Sequence, residues 1–260
     1  MSDFETVKYG QDGAVAIITI HRPDAMNSFN TQLRADLLAA FERAAGDDSV
    51  RVVVFTGEGR SFSAGADLRD IDSAERSVDE MLQLEYRPVL ECIANMKQPV
   101  IAAVGGSAAG IGLSHALTCD LLVMADNAFL LSPFTTISLV PDGGLNWLLV
   151  RQLGYRRAFQ LSIESERIAA DRCVELGLAN KAVPADSLME ETLKWAHVLA
   201  DRAPLSLAAT KKAMRHAMDN DWTSTYDVEA PLQKVLRNSE DFEEGVTAFF
   251  EKRKANFEGK

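Results

Sequence analysis

Short apolar runs rich in β-branched residues alternate along this chain with longer stripes at helical spacing. Residues 15–20 (VAIITI), 50–55 (VRVVVF) and 99–104 (PVIAAV) are compact apolar runs, the last bounded by Gly105 and Gly106. Each predicts a buried strand, and 121–125 (LLVMA) predicts a fourth. Between them, residues 31–45 carry Leu33, Leu37, Leu38 and Phe41 at i, i+4, i+5 and i+8, which suits an amphipathic helix. Further helical patterns cover 82–96, about 111–117, 145–159 with an interruption near Gly154, and 169–176 ended by Gly177. Ala182-Val183-Pro184 closes that segment, and 187–203 predicts a long helix stopped by Pro204. From 205 onward the pattern is almost entirely helical, with a break at Asp219-Asn220-Asp221. Residues 70–81 are acidic and polar and predict a mobile lid helix. The order strand, glycine turn, small-residue bend, helix occurs at 50–68 and again at 99–117, a weak internal repeat of β-β-α type.

At 260 residues the chain can bury a sizeable core. We expect residues 1–200 to form that core and 201–260 a helical appendage packed on it or on another subunit. Hydrophobic content of 47% and charged content of 25% are those of an ordinary soluble globular protein. A net charge of −11 argues against nucleic acid or an anionic membrane as partner, although an anionic small ligand needs only a local basic patch. Cys92, Cys119 and Cys173 are widely spaced, which fits a reducing compartment better than a disulfide or zinc framework. With a polar N-terminus, no run of transmembrane length and no peroxisomal address at Glu258-Gly259-Lys260, the expected location is the cytoplasm.

The chemistry concentrates between 99 and 147. Small residues (Gly106, Ser107, Ala108, Ala109, Gly110, Gly112) let a ligand approach the backbone, and a helix opening just after them offers unpaired N–H groups to a developing negative charge. Ser61 to Leu68 forms a similar small-residue cluster, and two such bends can place two N–H groups around one point. The glycine spacing is wrong for a dinucleotide fingerprint, and no P-loop lysine follows. Gly112-Leu113-Ser114-His115-Ala116 lacks the last glycine of a hydrolase elbow, and Ser114 and His115, as helix neighbours, point in different directions. Asp142 in Pro141-Asp142-Gly143-Gly144 reads by spacing as a turn residue or N-cap. His115 reads as a satisfied core histidine, and Asp67 and Asp120 as caps or packing polars. The loop 21–27 reads as a turn that caps a helix, with Arg22 as an alternative anion contact.

Arg22-Pro23 with Asn27, GRSFSAGADL at 59–68, PVIAAVGGSAAGIGLSHALTCD at 99–120, Pro141-Asp142-Gly143-Gly144 and FFEKRKANF at 249–257 together resemble the enoyl-CoA hydratase/isomerase (crotonase) family. The resemblance runs from about residue 4 to the end. It implies an α/β spiral of repeated β-β-α turns with a helical C-terminal trimerisation region, assembled as a homotrimer or dimer of trimers. It also implies an acyl-CoA thioester substrate, no cofactor beyond the CoA carried by that substrate, and an enolate held by two backbone N–H groups, here mapped to Ala64 and Ile111. The CoA and acyl contacts it implies are Arg22, Ala25 and Met26, the segment Ala64, Gly65, Ala66, Asp67 and Leu68, then Gly110, Ser114 and Phe134. Lys252 and Lys254 are solvated helix charges or CoA phosphate contacts.

The two glutamate positions of a hydratase hold Ser114 and Phe134, neither of which can act as a general base. Asp142 falls where isomerases of the family carry their single acid. Phe134, Leu139 and Trp147 are expected to desolvate it and raise its pKa. The pattern is closest to a Δ3-Δ2-enoyl-CoA isomerase. The alternatives are a hydratase, an isomerase of ring-bearing acyl-CoA, a dehalogenase using Asp142 as nucleophile, and a non-catalytic acyl-CoA-binding protein.

Overall fold

The computed structural model describes residues 4–71 and 77–260. The strands are β1 (Val7–Asp12), β2 (Val15–Ile20), β3 (Val52–Gly57), β4 (Ser61–Ser63), β5 (Val100–Val104), β6 (Ser107–Ala109), β7 (Leu121–Ala125), β8 (Phe129–Leu131), β9 (Ile168–Ala169) and β10 (Lys181–Val183). Six of them form a sheet in the order β1-β2-β3-β5-β7-β10, and β4-β6-β8-β9 form a second. The hairpin β1–β2 is antiparallel, and every later pair of the large sheet is parallel. Central strands of a parallel sheet are covered on both faces and so read as unbroken apolar runs. That is why β3 and β5 were legible, and all five residues of β5 are buried. β1, β8, β9 and β10 carry no such run. β1 (VKYGQD) is a largely polar edge strand, while β8 and β10 are three residues each and owe their pairing to neighbours.

The helices before the large sheet closes are α1 (Thr31–Gly46), α2 (Leu68–Ile71), α3 (Val78–Met81), α4 (Arg87–Asn95), α5 (Ile111–Thr118), α6 (Leu145–Leu153), α7 (Tyr155–Glu164) and α8 (Ala170–Glu175). Asn30 caps α1 by accepting from the Leu33 N–H at 3.0 Å, and Leu33, Leu37 and Phe41 are buried against β1 and β2. A π-turn, Leu82–Tyr86, joins α3 to α4. The lid expected over 70–81 falls in part on residues outside those described; its described ends belong to α2 and α3.

Then come α9 (Leu188–Ala200), α10 (Pro204–Ala217), α11 (Trp222–Arg237) and α12 (Glu240–Glu251). The long helix expected to 203 ends at Ala200, and Pro204 opens the next helix at its first position, where a missing N–H costs nothing. α9 packs across β2, β3, β5 and β7. Neither α10 nor α11 buries a whole residue. Among the described residues no helix is long and apolar enough to cross a membrane.

Candidate active site

β4 and β6 lie side by side in parallel, with Ser61 opposite Ser107 and Ser63 opposite Ala108. Carrying that register forward three residues sets Ala66 opposite Ile111, with Gly65 opposite Gly110. Both glycines have positive φ, +103° and +54°. A Cβ on Gly65 would come within 3.1 Å of the Ala109 carbonyl oxygen and 3.6 Å of the Gly110 Cα. Only glycines let the two bends touch in this way.

The hydrogen bonds of the bends correct one expectation. The Ala64 N–H donates to the Met26 carbonyl at 3.0 Å, so it is not open to a ligand. The Gly65 N–H donates to Ser63 Oγ, and the Gly110 N–H to the Leu131 carbonyl. The N–H groups of Ala66 and Ile111 have no acceptor among the described residues. Phe29 bridges to Ala66 by donating to the Gly65 carbonyl and accepting from the Asp67 N–H, which leaves the Ala66 N–H out of the pair. Ile111 opens α5, where the first N–H groups have no partner within the helix. The open pair is therefore Ala66 and Ile111, not Ala64 and Ile111. Aligning Gly65 with Gly110 in the sequence repeat would have found it.

Asp142 lies against the same helix. Ser114 Oγ donates to the Asp142 carbonyl at 2.9 Å. Gly143, at φ +60°, is so close to α5 that a Cβ there would meet Ile111 Cδ1 at 2.4 Å and Ser114 Cβ at 2.9 Å. Asp142 Oδ1 is buried with no hydrogen-bond partner, and burial pushes the carboxyl up to about 6 against the opposing pull of its own backbone N–H. Phe134 is buried, with its ring edge 3.9 Å from where a Gly110 Cβ would be. Leu139 and Trp147, expected to shield Asp142, are 50% and 37% exposed, and Trp147 lines the cavity beside the Asp142 loop. Tyr86 went unnoticed in the sequence. It is buried at the end of the π-turn, accepts from Arg34 Nη1 at 3.4 Å, and feels the Asp142 charge, which adds to burial in raising its phenol to about 12.

His115 is a core residue whose Nδ1 meets the Ile111 carbonyl at 2.8 Å, but its Nε2 has no partner, so it is only half satisfied. Burial holds it down to about 4, in the neutral form. Arg22 pairs with the buried Asp67 at 3.1 Å and also donates to the Ser28 carbonyl, clipping the 22–29 loop to the first bend. Ala25 and Met26 end the short turn in that loop. Leu68 is exposed at the start of α2. Lys252 is an exposed C-cap of α12 whose N–H bonds within its own helix.

A cavity of about 1120 Å³ opens beside the Asp142 loop. Gly143, Trp147 and Leu148 line one side, Leu82, Tyr86 and Leu90 another, and α10 closes it.

Paired β-β-α units that bring two glycine bends into contact, followed by a helical C-terminal region, are the architecture of the crotonase class. The chain belongs to the enoyl-CoA hydratase/isomerase family, whose model matches residues 10–260. A probable enoyl-CoA hydratase of Rhodobacter capsulatus is 38% identical over 257 residues, covering 99% of each chain. A 1,2-epoxyphenylacetyl-CoA isomerase of Escherichia coli is 34% identical, with 95% of each chain covered. Among solved structures, an enoyl-CoA hydratase subunit of Geobacillus kaustophilus superposes with a TM-score of 0.93 at 36% identity, over the whole of both chains.

Proposed function

We propose that this chain is an acyl-CoA isomerase that moves a double bond from the 3,4 to the 2,3 position with Asp142 as its single acid and base. The reading rests on one observation: a half-buried Asp142 whose Oδ1 is buried without a hydrogen-bond partner, in a loop packed on the helix whose first N–H is open. Asp142 takes the proton from C2, and the electron pair passes to the thioester oxygen. The enolate is held by the N–H groups of Ala66 and Ile111, each worth ~3 kcal/mol of barrier. Collapse of the enolate shifts the double bond as Asp142 returns the proton to C4. A carboxyl titrating near 6 is well matched to both duties. No further cofactor is needed.

Relatives carry the names of hydratases as well as isomerases, but hydration needs a second group to activate water. Here Ser114 Oγ is engaged with the Asp142 carbonyl, and Phe134 fills the other position. A ring-bearing acyl group is the second reading, favoured by the aromatic lining from Tyr86 and Trp147 in a wide cavity. For assembly we propose a homotrimer or dimer of trimers, in line with the exposed Trp222, Phe249 and Phe250 on the C-terminal helices. Asp142→Asn tests the reaction: turnover of 3-hexenoyl-CoA and exchange of its C2 protons with deuterated water should both fall by at least ~100-fold, with binding retained. Exchange that persists in the variant would remove Asp142 from the mechanism.

A further inference from the structure

The two open N–H groups come from separate bends, and one buried side chain touches both. Ser63 ends β4 and is wholly buried. Its Oγ accepts from the Gly65 N–H at 3.2 Å and donates to the Asn27 carbonyl at 2.8 Å. The hydroxyl has one proton to give, and the Asn27 carbonyl takes it. On its other side Ser63 carries the first turn of α5. A Cβ on Gly112, the residue after Ile111, would lie 2.6 Å from Ser63 Cβ and 2.7 Å from its Oγ. The start of the helix therefore rests directly on this side chain.

The hydroxyl acts on a glycine. Gly65 sits at φ +103°, where no side chain restricts the backbone. The peptide units on its two sides are held by their hydrogen bonds instead. The unit before Gly65 is held by Ser63 Oγ through the Gly65 N–H. The unit after it contains the Gly65 carbonyl, which accepts from the Phe29 N–H at 2.8 Å. In a trans peptide the N–H points away from the carbonyl of the same unit, so that bond turns the Ala66 N–H away from Phe29. Asn27 is itself anchored. It is wholly buried at φ +56°, its Nδ2 donates to the Glu58 and Ser61 carbonyls, and its Oδ1 accepts from the Arg22 N–H at 3.0 Å. Ser63 thus joins an anchored loop, the peptide beside the first donor, and the helix turn that carries the second.

We infer that Ser63 is a positioning residue for the enolate site: its hydroxyl and Cβ set the direction of the Ala66 N–H and its spacing from the Ile111 N–H. The inference rests on those two N–H groups being the donors to the thioester oxygen, as proposed above, and not on the isomerisation step. Ser61 supplies the contrast. It is also buried and lies on the same strand, but among the described residues its hydroxyl bonds only to Ser107 on β6.

The test compares Ser63→Ala and Ser61→Ala with wild-type protein. Loss of one buried hydroxyl costs stability without displacing a side chain, so both variants fold. The first readout is the absorption of bound 2,4-hexadienoyl-CoA, whose double bonds are already conjugated and give the isomerase nothing to move. Hydrogen bonds to its thioester oxygen polarise the conjugated chain and move the band to longer wavelength. The second readout is kcat and KM on 3-hexenoyl-CoA. Ser63→Ala should lose roughly half of the wild-type band shift and about tenfold or more in kcat, with KM within about twofold, since one of two donors is turned rather than removed. Ser61→Ala should melt earlier than wild type, as Ser63→Ala does, and keep both readouts. A wild-type band shift and kcat in Ser63→Ala would overturn the inference, because the hydroxyl would then support the fold alone. Equal losses in the two variants would overturn it as a general effect of β4. Wild-type protein that binds the dienoyl thioester with no band shift would overturn it too, because the donors would then lie elsewhere. A band shift that Ser63→Ala reduces, in a protein that isomerises no 3-enoyl-CoA, would uphold the positioning role and remove the reaction proposed above.

Discussion

Gly143 is where sequence, packing and chemistry meet most tightly. An alanine Cβ there would lie 2.4 Å from Ile111 Cδ1, 2.9 Å from Ser114 Cβ and 3.1 Å from Ser114 Oγ, at a φ of +60°. The left-handed backbone alone costs an L-residue ~1–2 kcal/mol, and forcing a methyl into a packed site costs ~1–3 kcal/mol more. The tip of Ile111 can swing aside, but Ser114 Cβ is fixed to α5, so the loop must lift. Lifting breaks the Ser114–Asp142 hydrogen bond, worth ~1 kcal/mol. Gly143→Ala should therefore lose ~3–6 kcal/mol in denaturant unfolding at fixed protein concentration. It should also lose ~100-fold in kcat on 3-hexenoyl-CoA, because a shift of about 1 Å in the base is enough for that. Gly144 provides the internal comparison: its φ is +78°, yet an added Cβ meets nothing within 4 Å. Gly144→Ala should cost only the backbone term, ~1–2 kcal/mol, and keep most of its activity. If the two variants behave alike, the contact of the Asp142 loop with α5 does not position the base, and the reasoning fails.

Activity should fall as pH drops through about 6, because the base must be ionised and burial holds Asp142 there; kcat/KM against pH reads this directly, and a limb near the usual carboxylate range would contradict it. His115, held to about 4, should not contribute to that limb. Stability carries the opposite sign. With the folded carboxyl raised above its unfolded value, its contribution is present below about 3.8 and is lost as pH rises through about 6. Asp142→Asn should then raise Tm at pH 8 relative to wild type and change it little at pH 3.5, a thermal-melt comparison in which a lower Tm at pH 8 would refute the account. Arg22→Met leaves the buried Asp67 with only Arg69 and should destabilise the fold by about 3 kcal/mol in denaturant melts, more than it weakens CoA binding.

The stretch from β5 to β7 was legible because each element carries its own signal: an unbroken apolar run, glycines that close a bend, then a helical stripe. The same holds for α1 and for the turn at Asp142. What escaped depended on partners distant in sequence. Ala64 and Ala66 are indistinguishable as residues: the Met26 carbonyl, brought across by the 22–29 loop, takes the Ala64 N–H, and the alignment of Gly65 with Gly110 is the one sequence signal that points to Ala66. β8 and β10 are too short to hold a pattern and are defined by the strands beside them. Lys211 and Arg215 look like ordinary helix residues until α10 folds against α4 and α5, where they bond the Ile93 and Thr118 carbonyls and share Asp120.

The most direct measurement is a side-by-side assay of the purified protein on 3-hexenoyl-CoA and crotonyl-CoA, following product identity by chromatography. One carboxylate and two open N–H groups should give rapid conversion of the first to 2-hexenoyl-CoA and negligible hydration of the second. Rapid hydration of crotonyl-CoA would contradict the account, because it would require a second water-activating group where the structure holds Ser114 and Phe134.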